Sequence, residues 1–113
     1  MNARGHEAER AAGAFLESQG LRILERNWRC RFGEIDLVAK EDAMLVFVEV
    51  RMRSSPSFGG AIESIGHAKR RRLVAAANLY LAVRRIDAPC RFDAVLIEAE
   101  GDMRWVRDAF RVD

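Results

Sequence analysis

Gly33-Glu34-Ile35-Asp36-Leu37-Val38-Ala39 and Val46-Phe47-Val48-Glu49-Val50-Arg51 are the most apolar segments of the sequence, and each carries ionisable residues inside the run. Their Val, Ile and Phe content marks both as strands, and Lys40-Glu41-Asp42-Ala43 between them marks a β-hairpin. A carboxylate inside such a run is costly to bury unless a partner neutralises it. Side chains alternate along a strand, so Glu49 and Arg51 share one face, and Glu34 and Asp36 share a face of the other strand. If the hairpin loop holds an even number of residues, the two faces coincide. A two-residue loop at Glu41-Asp42 pairs Glu34 with Glu49 and leaves Asp36 diagonal to it. A four-residue loop sets Asp36 directly opposite Glu49, and either way the β-carbons lie within about 4.5–8 Å. An odd loop sends Asp36 to the other face.

Helices bracket this hairpin. Over residues 4–19, Ala8, Ala11, Ala12, Phe15 and Leu16 recur at helical spacing before Gly20, a natural stop. Glu9 borders that apolar face, at i, i+3, i+7 with Ala12 and Leu16, whereas Glu7 and Glu17 point to water. Residues 21–31 read as extended. A second helix is expected over about 66–85, with Leu73, Ala76, Ala77, Tyr80 and Val83 as its inner stripe. Arg91 to Glu98 alternates as a strand, and a short last strand falls at 103–107. Ser54-Ser-Pro-Ser-Phe-Gly-Gly60 is the one loop-like stretch, read as a mobile loop over about 53–60 with Arg53 at its base. The order α-β-β-β-α-β-β predicts an α/β fold, a mixed five-stranded sheet flanked by helices.

The 113 residues suit one domain, 1–113. A chain of this size buries roughly two-thirds of its unfolded surface, enough for a core without cross-links. Half the residues are hydrophobic and 32% are charged, a soluble composition that excludes wholesale disorder. No apolar run approaches the ~18 residues of a membrane span, and the first residues are polar, so the expectation is a cytoplasmic protein away from membranes. Cys30 and Cys90 match no metal-ligand spacing, and His6 and His67 stand alone, which argues against zinc.

Two carboxylates as near as Asp36 and Glu49 repel each other, and a divalent hard cation resolves the conflict. Mg²⁺ or Mn²⁺ takes one or two carboxylates together with water and phosphate oxygens, so Asp36 and Glu49 are the candidate metal ligands. Arg51 would face the phosphate, and Glu9 would add a third carboxylate from the helix. The same residues also describe plainer features: Glu49 with Arg51 as a surface ion pair, Asp36 as a turn cap, Glu9 as a solvated helix acid. Of the 19 Lys and Arg residues only Lys40 and Lys69 are lysine. The run Lys69-Arg70-Arg71-Arg72 opens the second helix and, with Arg53, is the candidate nucleic-acid contact. Its plainer reading is a solvated helix start. Trp28 and Trp105 read as packing residues, with base stacking the alternative.

The combination of Gly5, Glu9, Ala12 and Leu16, Gly33 to Ala39, Val46 to Arg53, Lys69, and Arg91-Phe92-Asp93-Ala94-Val95 resembles the YraN-like family of uncharacterised bacterial proteins, from about Gly5 to Phe110. That family is similar to the restriction-endonuclease-like superfamily, especially the archaeal-type Holliday-junction resolvases. Their motif is a helix Glu, a strand Asp and Glu-x-Lys on the next strand. The resemblance implies a restriction-endonuclease-like core and a catalytic set of Glu9, Asp36, Glu49 and Arg51. It implies metal-dependent hydrolysis of phosphodiesters, in DNA ahead of RNA, with branched or structured DNA as substrate. A homodimer is the assembly expected of a resolvase-like protein. The departure is Arg51, where the motif has Lys: arginine orients water or stabilises charge but cannot act as a base. That substitution keeps open a nucleic-acid-binding module without efficient catalysis. A scaffold whose arginines meet an acidic protein is the remaining alternative.

Overall fold

Alternating apolar residues build five strands and two helical stripes build α-helices, in the order α1 (Ala3–Ser18), β1 (Arg22–Cys30), β2 (Gly33–Glu41), β3 (Met44–Met52), α2 (His67–Arg84), β4 (Cys90–Ile97) and β5 (Met103–Phe110). The computed structural model describes residues 3–52 and 65–111, so Arg53 and the loop expected over 53–60 lie outside the described residues. The α/β class and element order follow the sequence reading. The strands lie in chain order, β1-β2-β3-β4-β5, and all neighbours are antiparallel except the parallel pair β3–β4. A parallel pair needs a crossover, and α2 belongs to that connection.

Each helix covers one face. Ala12 and Leu16 of α1 pack on Leu37, Ala39, Val46, Val48, Val95 and Ile97. The valines of β3 at 46 and 48 are therefore covered from within the chain. On the other face, Ala76, Ala77 and Tyr80 of α2 pack on Ile35, Val38, Leu45 and Phe47, while Leu73 joins Ala94, Leu96 and Phe110. Trp28 meets Tyr80 edge-on at 5.2 Å, which confirms it as a packing residue. Val83, expected on the inner stripe, is 58% exposed. It falls at the margin of the arc set by Leu73 and Tyr80, and the exposed Arg84 beside it reaches Glu25 and lies over the Tyr80 ring.

At Gly13 a Cβ would sit 2.4 Å from the guanidinium of Arg26, the far end of an exposed side chain laid against α1. The last strand is longer than the expected 103–107, and its bulge between Phe92 and Ala94 of β4 is organised by Asp93. That side chain is fully buried and accepts from Arg91 Nε at 2.7 Å, Arg91 Nη2 at 2.8 Å, Trp105 Nε1 at 2.9 Å and the Asp108 N–H at 2.9 Å. Arg91 also reaches Glu41 at 3.0 Å, Arg107 bonds the same Glu41, and the Arg107 guanidinium lies 3.8 Å from the Trp105 ring centre. The conspicuous Arg91-Phe-Asp motif is thus a cross-sheet clasp, in which burial is compensated by donors on every side.

Candidate metal centre

The geometry begins at the hairpin. Its loop is Asp42-Ala43, two residues long but one position later than the two-residue alternative read from sequence, with Glu41 opposite Met44. The resulting register runs to Leu37 opposite Val48, and one further step brings Asp36 level with Glu49. There the strands part. The Asp36 carboxylate, rather than a backbone carbonyl, accepts the Val50 N–H at 2.8 Å.

Strict alternation fails at the same point. Leu37 and Ala39 face α1, but Val38 and Ile35 both pack under α2, so the phase of β2 slips at Asp36. On the neighbouring strand, Asn27 takes a left-handed backbone, φ 52°, between the Arg26–Leu37 and Trp28–Ile35 pairs. Asn tolerates that conformation better than most residues. Glu34 and Asp36 still come together as the sequence reading expected, although the strand between them is not strictly alternating, and they meet Glu9 of α1: the three carboxylates each offer an oxygen within 4.8 Å of the others.

Glu9 is the inward acid anticipated on α1, only 5% exposed. Its Oε1 and the Oε1 of Glu34 are both buried without a hydrogen-bond partner. Burial and the Glu9 charge raise the pKa of Glu34, against a weak pull from Arg29, whose Nε is 3.9 Å away. Asp36 is pushed up to about 9, first by burial, then by the charge of Glu49 and a hydrogen bond with it, with Glu9 adding to the effect. The donated Val50 N–H opposes that rise.

Glu49 is the fourth carboxylate, 4% exposed and on the α2 side. It has cationic company: Lys69 Nζ lies 2.6 Å from Oε2 and Arg51 Nη1 3.6 Å from the same oxygen. Lys69 thus leaves the basic run to close on the acidic centre. Arg70 turns to its own helix start, donating to the Ile65 carbonyl at 2.9 Å, and lies 5.5 Å from the centre of the Phe110 ring. Arg71 and Arg72 are exposed. A cleft of about 210 Å³ opens between the two charge types, with Phe32, Gly33, Glu34 and Asp36 on one wall and Lys69, Arg72 and Leu73 on the other. On the α1 side a second cleft, about 230 Å³, holds His6, Glu9, Arg10, Arg26 and Asn27.

The structure brings Glu9, Asp36, Glu49, Arg51 and Lys69 to one end of the β2–β3 fork, and Lys69, which the sequence reading grouped with the phosphate contacts, joins the carboxylates there. It adds Glu34, which the sequence reading left off the candidate ligands. The only signal available was its place two residues before Asp36. Hard oxygen donors, two of them unpartnered, suit Mg²⁺ or Mn²⁺ better than a soft metal. Among the described residues no helix is long and apolar enough to cross a membrane. Both cysteines are free thiols.

The family model described as Uncharacterised protein family UPF0102 matches residues 8–97. A UPF0102 protein of Nitrosomonas europaea is 57% identical over 109 residues, covering 95% of this chain and 92% of the relative. One from Methylobacillus flagellatus is 52% identical over 113 residues, 97% of this chain and 98% of its own length. One from Shewanella pealeana is 46% identical over 107 residues, 95% of each.

Proposed function

The chain belongs to the uncharacterised protein family UPF0102, and from its carboxylate junction we propose that it is a metal-dependent nuclease acting on DNA phosphodiesters, with branched or structured DNA as the substrate. The observation that carries this reading is the convergence of buried Glu9 and Glu49 with half-buried Asp36, from a helix and two strands, beside a cleft whose far wall is Lys69 and Arg72. The resemblance to restriction-endonuclease-like nucleases supports it independently, because the helix Glu, strand Asp and Glu-x-basic positions coincide with these residues.

Asp36 and Glu49 are the ligands for Mg²⁺ or Mn²⁺, and Glu9 adds a third carboxylate. Such a cation, when bound, acidifies a water and offsets charge on the phosphodiester oxygens. The chain's own groups do the rest. The Val50 N–H holds the Asp36 carboxylate in a fixed orientation. Lys69 and Arg51 hold Glu49, and both remain partly exposed, 38% and 29% at the side chain, so they also face an incoming phosphate. Arg71 and Arg72 extend that positive surface over the first turns of α2. Cations at a helix N-terminus oppose the helix dipole, each by about 0.3–1 kcal/mol at exposed sites. An anion bound beside α2 would offset that repulsion.

The test is a cleavage panel of single-stranded, duplex, flapped and four-way-junction DNA with Mn²⁺, Mg²⁺ or EDTA. The parent is expected to cut with metal and not in EDTA, while Asp36→Asn and Glu49→Gln do not cut. Full activity in both variants refutes the site. Arg51 in the Lys position favours a second reading, a binding module without catalysis. It requires salt-sensitive DNA binding that survives EDTA and no cleavage at any metal concentration.

A further inference from the structure

Charge compensation around the four carboxylates is lopsided. Lys69 and Arg51 both converge on Oε2 of Glu49. On the other side of Asp36, Glu34 has the exposed Arg29 at 3.9 Å and a lesser pull from His6. His6, Arg10 and Arg26 share the cleft with Glu9, but among the described residues no ion pair reaches Glu9 or Asp36. Yet Glu9 is only 5% exposed, and two carboxylate oxygens there, Glu9 Oε1 and Glu34 Oε1, are sealed from solvent without a donor. A buried acceptor without a partner is costly, and two facing carboxylates more so. Water alone supplies donors but no countercharge.

We propose that Glu9, Glu34 and Asp36 form a divalent-cation site of their own, offset from the Asp36–Glu49 pair, in which Glu34 is a ligand. Oxygens on a Mg²⁺ or Mn²⁺ ion with bonds near 2.1 Å are about 3 Å apart when adjacent and about 4.2 Å apart when opposite. The three carboxylate oxygens lie within 4.8 Å of one another, and at most one pair of three ligands is opposite. The site therefore closes by about 0.6 Å at that pair and by up to about 1.8 Å at adjacent pairs, a movement that a glutamate side chain supplies by changing rotamer. Asp36 is held by the Val50 N–H and so is the fixed ligand, while Glu34, at the edge of the 210 Å³ cleft, leaves a side open to water or a phosphate oxygen. Asp36 then stands between two carboxylate sets, shared on one side with Glu49 and on the other with Glu9 and Glu34.

This builds on the metal-dependent reading above but is separable from it, because cation binding is measured without nucleic acid. Mn²⁺ alone would be titrated into the full chain and into Glu9→Gln, Glu34→Gln and Glu49→Gln, by calorimetry and by the loss of the free-ion electron paramagnetic resonance signal. Circular dichroism and melting in EDTA would confirm that each variant folds. The expected result is at least a tenfold loss of affinity at one site in Glu34→Gln and in Glu9→Gln, with that site retained in Glu49→Gln. The Mn²⁺-induced rise in melting temperature should vanish in Glu34→Gln, whose melting point in EDTA is unchanged or higher. Parental affinity and stoichiometry in a folded Glu34→Gln overturn the proposal, as does an absence of Mn²⁺ binding by the parent. A folded Glu34→Gln that loses the cation while the parent fails to cut any DNA supports this site and refutes the nuclease reading.

Discussion

Replacing Asp93 by Ala removes an acceptor that four donors share at the centre of the β4–β5 clasp. The side chain is fully buried and the Arg91 side chain is 16% exposed, so the pair sits close to the interior regime. Breaking such a pair from one side typically costs about 3–5 kcal/mol, because the remaining charge is left uncompensated. Two features of this site moderate the cost. Arg91 keeps Glu41 at 3.0 Å, and the exposed Asp108 can pair its N–H with water. The expectation is therefore a loss of about 3–4 kcal/mol, a large share of the roughly 5–15 kcal/mol that holds a typical domain together. At about 4 °C per kcal/mol for a chain of this length, the melting temperature should fall by about 12–16 °C. Urea unfolding with linear extrapolation reads the free energy directly, and an unchanged m-value would confirm that only stability moved. Arg91→Met combined with Asp93→Ala should cost less than the sum of the single changes, by about 1–2 kcal/mol, because no unpaired guanidinium remains. A loss under about 1 kcal/mol in Asp93→Ala, small beside the cost of a broken buried pair, would show that the clasp contributes little and that the motif must be explained otherwise. Mn²⁺ affinity in the same variant should match the parent, separating this buried acid from those at the fork.

Other consequences are simpler to read. Gly13→Ala should stabilise the protein by about 0.5–1 kcal/mol, since the nearest atoms are the far end of the exposed Arg26 side chain, which can swing away, while the helix gains propensity; thermal melting that shows a loss instead would mean the Arg26 placement matters more than the helix. Lys69→Met should destabilise the chain by about 1–3 kcal/mol, because Glu49 stays buried with Arg51 at 3.6 Å as its remaining ion-pair partner among the described residues. A double-mutant cycle with Glu49→Gln should recover most of that loss, and additivity would refute the coupling. In EDTA the raised pKa of Asp36 sets the sign of a pH dependence: the folded state holds that proton more tightly than the unfolded chain. Stability should therefore fall as pH rises from about 4 toward 9. Asp36→Asn should flatten the decline seen in melting curves across that window, and saturating Mn²⁺ should reverse it in the parent.

Periodicity was enough to read the elements, because which face a residue turns inward is a local property of a helix or strand. In α1 the spacing of Ala12 and Leu16 is sufficient to predict the buried stripe and to turn Glu9 inward, and the structure agrees. The same local logic found the strand at Val46–Arg51, inside the observed β3 of Met44–Met52, and placed Glu49 and Arg51 together. It misjudged Val83, where the helix runs past its packing arc, and the end of β5, whose length depends on pairing with β4.

What the sequence determined by itself was the inventory: an α/β chain, an apolar hairpin carrying carboxylates in its strands, an inward helix acid and a basic helix start. Tertiary structure alone decided which of these meet. The register of Asp36 against Glu49 depended on a loop placed at Asp42-Ala43. The gathering of Glu34 with Glu9 depended on a phase slip where β2 lies between Asn27 on one side and the departing β3 on the other. Lys69, grouped by sequence with the phosphate contacts of the basic run, closed on Glu49 across the crossover. Each outcome arises between segments distant in the chain, where a shift of one residue exchanges inside for outside and no local pattern records it.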